Sequence, residues 1–344
     1  MYSKNLWYLG ALSSEVKIGQ MVPKKLLGDP VVITRGKDGK VFALKNICPH
    51  RGIPFHYGRV VENQVECPYH GWKFRGDGTC TSIPSLTSTQ KLDCTKIKVN
   101  SFPVVEDKGL IWIFFPENFK RLPDSIGHPP FLDRLVGNRP RFCLKRDFKC
   151  HIDHGVIGLM DPAHGPFVHK SWFWRSPESI HEKKKDFAPA APMGFQMVRH
   201  KPSKNAKMYK FLGGQPTTEI TFQFPGVRLE HIAIGKRNIF GMTCLTPIDE
   251  NNTQIYHLMF WDWAWLTLLK PVVHWLGRIF LDQDKVAIER QQEGLIYNPT
   301  LMLIDDADTQ AKWYFRIKSE FENSQKEGRE FQNPVAPKTL EWRS

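Results

Sequence analysis

Four residues between positions 48 and 70 are of types that bind soft or borderline metal ions. They form two short loops, each with one cysteine followed by one histidine: Cys48 with His50, and Cys67 with His70. Thiolates and imidazoles at short spacing are typical ligands of zinc and of iron–sulfur clusters. The spacing therefore predicts a metal centre, and the order of the ligands helps to distinguish between the two.

The two loops are equivalent in sequence and read CPHRG and CPYHG. Zinc fingers usually pair two cysteines on one hairpin with two histidines on a helix, and neither loop has that arrangement. One thiolate and one imidazole from each loop suit a two-iron cluster, in which one iron binds both cysteines and the other binds both histidines. Gly52 and Gly71 permit the tight turns that such loops need. We predict a [2Fe-2S] cluster, with zinc as the alternative.

A second group of candidate ligands lies in the segment GLMDPAHGPFVHK. There Asp161, His164 and His169 form a D-x-x-H-x4-H pattern. Histidines five residues apart point about 140° apart on a regular helix and would not meet. Pro166 lacks a backbone donor and follows Gly165, which favours a distorted helix that brings both imidazoles to one point. The alternative is a structural role for both histidines.

A mononuclear iron site with two histidines and one carboxylate needs an acid from elsewhere in the chain. The segment GRIFLDQDKVAIERQQEGL predicts a helix rich in carboxylates. Asp284 lies four residues from Phe280 and from Ile288, which places it on the apolar side of that helix. Asp284 is the predicted third ligand, and Asp282 is the reserve.

The surrounding sequence predicts the elements that position these residues. GDPVVITRGKDGKVFALKNICPHRG alternates like strands around a Lys-Asp-Gly turn, and SFPVVEDKGLIWIFF adds one strand that closes a small β-domain near residue 116. Further on, TTEITFQFPGVRLEHIAIG and RNIFGMTCLTPIDENNTQIYHLMFWDW predict a curved antiparallel sheet with a hairpin tip at 249–252. Closed by helices, that sheet would leave an apolar cavity beside the iron. Trp172, Phe173 and Trp174 are predicted either to line this cavity or to belong to the core.

With these motifs in this order, the chain resembles the oxygenase component of the Rieske non-heme iron oxygenases, and most closely the vanillate-demethylase-like group. The resemblance implies an α+β fold, with an N-terminal all-β Rieske [2Fe-2S] domain over 1–118 and a helix-grip-like catalytic domain over 119–344. That second domain would combine a curved antiparallel sheet with helices. The ligands implied for the cluster are Cys48, His50, Cys67 and His70, and those for a mononuclear Fe(II) are His164, His169 and Asp284.

The resemblance also implies a catalytic role for Asp161. In the family an acid at this position links a Rieske histidine of one subunit to the iron site of its neighbour. Such a link requires a homotrimer, in which a head-to-tail ring places one Rieske domain against the next chain's iron. The family often has Asn a few residues before this acid, where this chain has Gly158, so the polarity around the iron is expected to differ.

The function implied is an O2-dependent oxygenase that hydroxylates, dihydroxylates or oxidatively dealkylates an apolar aromatic or polycyclic substrate. Electrons from NAD(P)H would arrive through a flavin reductase or ferredoxin, pass to the Rieske cluster and reach the Fe(II). The alternative is a Rieske electron-transfer protein whose second domain binds a partner or ligand without oxygenase activity.

Composition limits the other classes of partner. A chain of 344 residues is long enough for two domains. Its net charge of +13 indicates either a generally basic solvated surface or a docking face for an acidic protein, with an acidic substrate or membrane headgroups as further alternatives. No nucleic-acid-binding motif accompanies the basic residues, so nucleic acid is not an expected partner. Seven scattered cysteines and no apolar leader at the N-terminus predict a cytoplasmic protein without structural disulfides.

The segment AWLTLLKPVVHWLGRIFLD is the one stretch that resembles a membrane span. Lys270, His274, Arg278 and Asp282 recur every four residues, however, and Pro271 is expected to interrupt the pattern early. The segment is therefore too polar to span a bilayer and predicts an amphipathic helix packed on the catalytic domain. Peripheral contact with a membrane interface is the alternative.

Overall fold

The computed structural model describes residues 2–169, 180–190, 192–202 and 214–344. The chain divides into two compact units, Met1–Leu132 and Asp133–Ser344. The domain boundary predicted between residues 118 and 119 falls inside the first unit.

The first unit is built from short antiparallel strands. They are β1 (Leu6–Leu12), β2 (Met21–Leu26), β3 (Asp29–Arg35), β4 (Val41–Lys45), β5 (Arg59–Val61), β6 (Gln64–Glu66), β7 (Lys73–Arg75), β8 (Cys80–Ser82), β9 (Ser101–Phe102), β10 (Val104–Asp107) and β11 (Leu110–Phe115). The strand orders of its sheets are β1-β11-β10, β2-β3-β4-β9 and β5-β6-β7-β8. The loops that carry the two Cys/His pairs follow β4 and β6.

Two predictions for this unit have different outcomes. The predicted strands around the Lys-Asp-Gly turn are confirmed as β3 and β4, which pair antiparallel. The single strand predicted at SFPVVEDKGLIWIFF is wrong, because that segment forms β9, β10 and β11. Lys108 and Gly109 both have positive φ, at 52° and 73°, and turn the chain so that Asp107 pairs with Leu110. Since every residue of β11 is buried, the segment reads as one apolar run.

The second unit contains one large antiparallel sheet. Its strands are β12 (Phe142–Phe148), β13 (Glu182–Ala190), β14 (Gly194–His200), β15 (Thr217–Gln223), β16 (Val227–Ile234), β17 (Arg237–Asp249), β18 (Asn252–Trp261) and β19 (Lys338–Arg343). Their order is β12-β18-β17-β16-β15-β14-β13-β19. The predicted hairpin tip is confirmed, since Asp249 pairs with Asn252.

Helices cover one face of this sheet. They are α1 (Ile152–Met160), α2 (Gly165–Val168), α3 (Lys270–Leu295) and α4 (Thr309–Glu327). Gly155 of α1 faces Leu245 of β17, while on α4 the ring of Trp313 lies 5.2 Å from that of Phe195 of β14. The predicted fold class, an all-β N-terminal domain followed by an antiparallel sheet with helices, is confirmed.

Helix α3 differs from its prediction in two ways. Pro271 does not interrupt it, because the helix begins at Lys270 and proline is favourable in the first turn. The predicted packing holds for Leu281, which is buried, but Val272 and Trp275 are exposed. No helix within the described ranges is long and apolar enough to cross a membrane. Residues 172–174, predicted to line a cavity or core, lie outside the described residues.

Candidate metal centres

The two Cys/His loops of the first unit have the same backbone geometry. In each, the cysteine N–H donates to the carbonyl five residues later, at 2.9 Å for Cys48 and 2.8 Å for Cys67. The N–H four residues later donates back to the cysteine carbonyl, at 2.9 Å from Gly52 and 3.1 Å from Gly71. Both glycines have positive φ, +77° and +68°. The turns predicted from the sequence therefore need glycine at these two positions.

The side chains of these loops sort by type. The two thiols are buried, with Cys48 1% and Cys67 3% exposed. Burial raises the pKa of Cys48 to about 11, and the adjacent Cys67 thiol raises it too, so a bound cation is needed to stabilise thiolates here. The imidazoles lie nearer the surface, with the rings of His50 and His70 4.5 Å apart. Paired thiols on one side and paired imidazoles on the other fit a cluster whose two irons have different ligands.

An indole ring, missed by the sequence analysis, supports the outer pair. Trp72 stacks on His50 with ring centroids 4.6 Å apart and an interplanar angle of 5°. Its position in the sequence could have indicated this role. Trp72 directly follows Gly71 and closes the second loop, because its carbonyl accepts from the N–H of Cys67. Stacking of this kind fixes the orientation of the ring of His50.

In the second unit, the D-x-x-H-x4-H pattern does not lie on one distorted helix, as predicted, but between and within two separate helices. Helix α1 ends at Met160, and α2 is a single turn with Pro166 in its first turn. His164 and His169 occupy the two ends of α2, so the turn between them brings their Nε2 atoms to 3.2 Å. His169 is 1% exposed.

Asp284 of α3 completes a three-atom group with these histidines. Its Oδ1 lies 3.5 Å from Nε2 of His164 and 3.2 Å from Nε2 of His169. The point equidistant from the three atoms is about 1.9 Å from each, close to the length of a bond from histidine nitrogen or carboxylate oxygen to a metal ion. Three donors on one side of a metal form the facial triad of non-heme iron sites.

The reserve carboxylate lies elsewhere. Asp282 pairs with Arg146, with Oδ1 2.8 Å from Nε, and its side chain is 42% exposed against 21% for Asp284. Among the described residues, the metal-ligand group consists of His164, His169 and Asp284 without Asp282. The helical argument that placed Asp284 on the inner side of α3 agrees with this arrangement.

Two further α3 residues hold His169 in place. Its Nδ1–H donates to Oε1 of Gln283 at 3.2 Å, because an amide oxygen can only accept. Phe280 stacks on its ring at a centroid distance of 3.6 Å. Gln283 was not among the predicted site residues, although residues 280, 283 and 284 share one helical face. The proton on Nδ1 leaves the Nε2 lone pair directed at Asp284.

Asp161 lies behind His164. Its Oδ2 is 3.5 Å from Nδ1 of His164, and its Oδ1 accepts from the N–H of Ala163 at 2.7 Å. Burial lowers the pKa of His164, but the carboxylates of Asp161 and Asp284 outweigh it and the pKa is raised. Two carboxylates therefore make this position favourable for positive charge, as a metal site requires.

Gly158, where the family often has Asn, lies at a close contact between helices. A Cβ atom there would be 3.0 Å from Cδ1 and 3.3 Å from Cγ1 of Ile288. Glycine thus lets α1 approach α3 near the candidate triad. A larger polar side chain would require Ile288 to move.

Polar residues surround His257 on the sheet, which the expectation of an apolar cavity did not include. On β18, Nδ1 of His257 is 2.9 Å from Oγ1 of Thr243, and on β16, Arg228 lies 3.3 Å from Glu230. Burial lowers the pKa of His257 to about 4, although the negative charge of Asp284 acts in the opposite direction. The sheet therefore presents a neutral imidazole near the triad.

Two family descriptions match this chain. Residues 6–103 match the Rieske [2Fe-2S] domain, and residues 149–315 match the vanillate O-demethylase oxygenase C-terminal domain. The first contains all four candidate cluster ligands, and the second contains the three candidate ligands of the mononuclear site.

Similar proteins include chlorophyllide a oxygenase of Arabidopsis thaliana, 36% identical over 185 residues, which are 52% of this chain and 32% of that protein. The chain thus spans about a third of this relative. A 4beta-methylsterol monooxygenase of Methylococcus capsulatus is 28% identical over 315 residues, 86% of this chain and 82% of that one. The crystal structure of dicamba monooxygenase bound to dicamba shares the fold, with a TM-score of 0.74, 24% identity, and coverage of 95% of this chain and 99% of that one.

Proposed function

The chain belongs to the Rieske-type oxygenases, and from this premise we propose that it is an O2-dependent oxygenase of an apolar, ring-containing substrate. The observation that carries the proposal is the approach of His164 Nε2, His169 Nε2 and Asp284 Oδ1 to within 3.2–3.5 Å of one another. A Rieske electron carrier would not need such a group in its second domain.

We assign the ligands as the sequence predicted them. The [2Fe-2S] cluster would be held by Cys48, His50, Cys67 and His70. The mononuclear Fe(II) would be held by His164, His169 and Asp284. When bound, the cluster supplies electrons and the mononuclear iron, with positions left open by its three protein ligands, activates O2.

The surrounding residues prepare the triad. Gln283 holds the proton of His169 on Nδ1, and the Asp161 carboxylate, 3.5 Å from Nδ1 of His164, favours a proton on that nitrogen through its charge. In the neutral form of each imidazole, both Nε2 lone pairs then face the common point that Asp284 also faces. The buried position of His169 limits competing hydrogen bonds from water.

Asp161 is also the proposed bridge between subunits. Its carboxylate lies at the break between α1 and α2, in contact with His164. We propose that in a homotrimer it accepts a hydrogen bond from a Rieske histidine of the neighbouring chain. That link would connect the two metal centres through one charged group.

The substrate is proposed to be aromatic or polycyclic with one polar group. The match to the vanillate O-demethylase domain and the similarity to two monooxygenases favour hydroxylation or oxidative dealkylation over dihydroxylation. The 4beta-methylsterol monooxygenase, which aligns over most of both chains, favours a bulky polycyclic substrate. His257, neutral at pH 7, would hydrogen-bond the polar group of the substrate.

The proposed electron donor is a ferredoxin or flavin reductase supplied by NAD(P)H. An acidic donor would complement the net charge of +13 and would associate faster at low salt.

Iron analysis tests the proposal against the electron-carrier alternative. The oxygenase requires about three irons per chain, whereas a Rieske carrier binds about two. Asp284→Ala is expected to lose the mononuclear iron and turnover while its Rieske absorption stays unchanged. Asp282→Ala, two residues away on the same helix, is the matched control and should keep all three irons. Equal iron content in both variants would remove Asp284 from the ligand set.

A further inference from the structure

A strip of large apolar side chains is exposed where α3 begins. The exposed fractions are 41% for Trp265, 83% for Leu268, 40% for Leu269, 51% for Val272 and 53% for Trp275. Val272 and Trp275 are three residues apart and share one side of α3, and Leu268 precedes that helix by two residues with helical backbone angles. We call these five residues the α3 strip. Large apolar side chains exposed together in this way mark an interaction site.

The strip is presented by a well-anchored segment. Leu266 and Trp263 are 8% exposed, and the Trp261 indole N–H donates to Oγ1 of Thr267 at 3.2 Å. On the opposite side of α3, a Cβ at Gly277 would lie 3.2 Å from Leu144. The helix thus already uses its inner side for the core, and the strip forms a separate outer face.

The sequence around the strip carries only basic side chains. Between positions 263 and 281 it has Lys270, His274 and Arg278 but no aspartate or glutamate. The acids at the two ends are engaged, because Asp262 accepts from Asn238, and Asp282 pairs with Arg146 and with Arg278. Between the start of α3 and β12, an open groove of about 350 Å³ is lined by Arg141, Phe142, Cys143, Lys270, Pro271 and His274.

A second exposed apolar segment provides a contrast. Ile296, Tyr297 and Met302 are 74%, 81% and 85% exposed, but Asp305 and Asp306 follow directly. Exposed apolar residues are therefore not sufficient to indicate the same partner. At the start of α3, tryptophan and leucine are accompanied by basic residues instead.

We infer that the start of α3 is a peripheral membrane-docking face that binds anionic lipid bilayers. Tryptophan and leucine on one side of a helix, with lysine and arginine beside them, are typical of helices that lie in the membrane interface. Trp265, Leu268 and Trp275 would enter the boundary between headgroups and acyl chains, and Lys270 and Arg278 would remain at the phosphates. This interaction is separate from oxygen chemistry and does not depend on the proposed activity.

Vesicle binding by the full-length protein tests this inference. The probes are sedimentable vesicles of pure phosphatidylcholine and vesicles with roughly a third phosphatidylglycerol. We expect binding to the anionic vesicles that weakens with salt. Leu268→Ser together with Val272→Ser should reduce it by about tenfold or more, since each buried apolar side chain contributes that order of affinity. Lys270→Ala and Arg278→Ala should each reduce it about fivefold.

The matched control is Ile296→Ser together with Met302→Ser, which removes apolar side chains of similar exposure from the acidic segment. It should bind vesicles within about twofold of the wild type. Sedimentation velocity and iron content are measured on every variant. Absence of binding to anionic vesicles, or unchanged binding of the Leu268/Val272 variant, would overturn the inference. If the wild type does not bind vesicles and the Leu268/Val272 variant sediments as a smaller oligomer, the inference is overturned and the strip is an interface between copies of this chain.

Discussion

Gln283→Leu tests most directly how the candidate iron triad is prepared. Leucine keeps approximately the volume of glutamine but removes the acceptor 3.2 Å from His169 Nδ1. His169 is 1% exposed, so water does not readily replace that acceptor. The imidazole is then expected to carry its proton on Nε2, where it can donate to Asp284 Oδ1 at 3.2 Å. That proton occupies the position that the metal needs.

The expected effect is on metal affinity more than on folding. Loss of such a supporting hydrogen bond typically lowers metal affinity by about 10- to 100-fold, or about 1.4–2.7 kcal/mol. The upper part of this range is expected, because in the variant the proton on His169 Nε2 can donate to Asp284 Oδ1 and so competes with the metal. That hydrogen bond also keeps His169 satisfied in the absence of metal. The apo protein should therefore unfold at a temperature close to that of the wild type.

Anaerobic titration of the mononuclear site with Co(II), followed by visible absorption, measures this affinity. Gln291→Leu, an exposed glutamine on the same helix, is the matched control and should bind Co(II) like the wild type. Gln283→Glu keeps an acceptor and should restore binding. The Rieske absorption reports that the first unit is intact. If Gln283→Leu binds Co(II) as tightly as Gln291→Leu, the tautomer argument is wrong.

Three further predictions follow from other residues. Asp161→Asn is expected to keep both metal sites and a chemically reducible Rieske cluster but to lose most turnover. Electron transfer from cluster to iron at the wild-type rate in a single turnover would contradict the bridging role. The native protein should sediment as three chains. Gly158→Asn should destabilise the fold by about 1–3 kcal/mol through overpacking, and Ile288→Ala in the same chain should recover part of that loss in urea unfolding. Burial lowers the pKa of His257 from its ordinary value of 6.5 to about 4. Between these two pH values the unfolded state binds more protons than the folded state. The free energy of unfolding therefore decreases as the pH falls from 6.5 to about 4. Between pH 7.5 and pH 5 the wild type should lose about 2 kcal/mol more than His257→Gln, and equal losses would show that His257 stays exposed to solvent.

The sequence by itself determined the identity of the candidate ligands. Two equivalent loops, each with a cysteine, a histidine and a glycine that needs positive φ, leave few alternatives to a shared two-iron cluster. The carboxylate could also be chosen, because the four-residue spacing to Phe280 and Ile288 fixes the side of α3 on which Asp284 lies. These inferences depend on local periodicity and turn chemistry, which short stretches of chain encode.

Only the tertiary structure decided what surrounds those ligands. The meeting of His164 with His169 depends on a break at 161–164 and a single helical turn, which the spacing indicated but did not specify. The support from Gln283, the contact of Gly158 with Ile288 and the position of His257 each join residues more than a hundred positions apart or on different strands. The exposure of Leu268, Val272 and Trp275 has the same origin, because amphipathic periodicity shows that a helix has an apolar side but not whether the fold covers it.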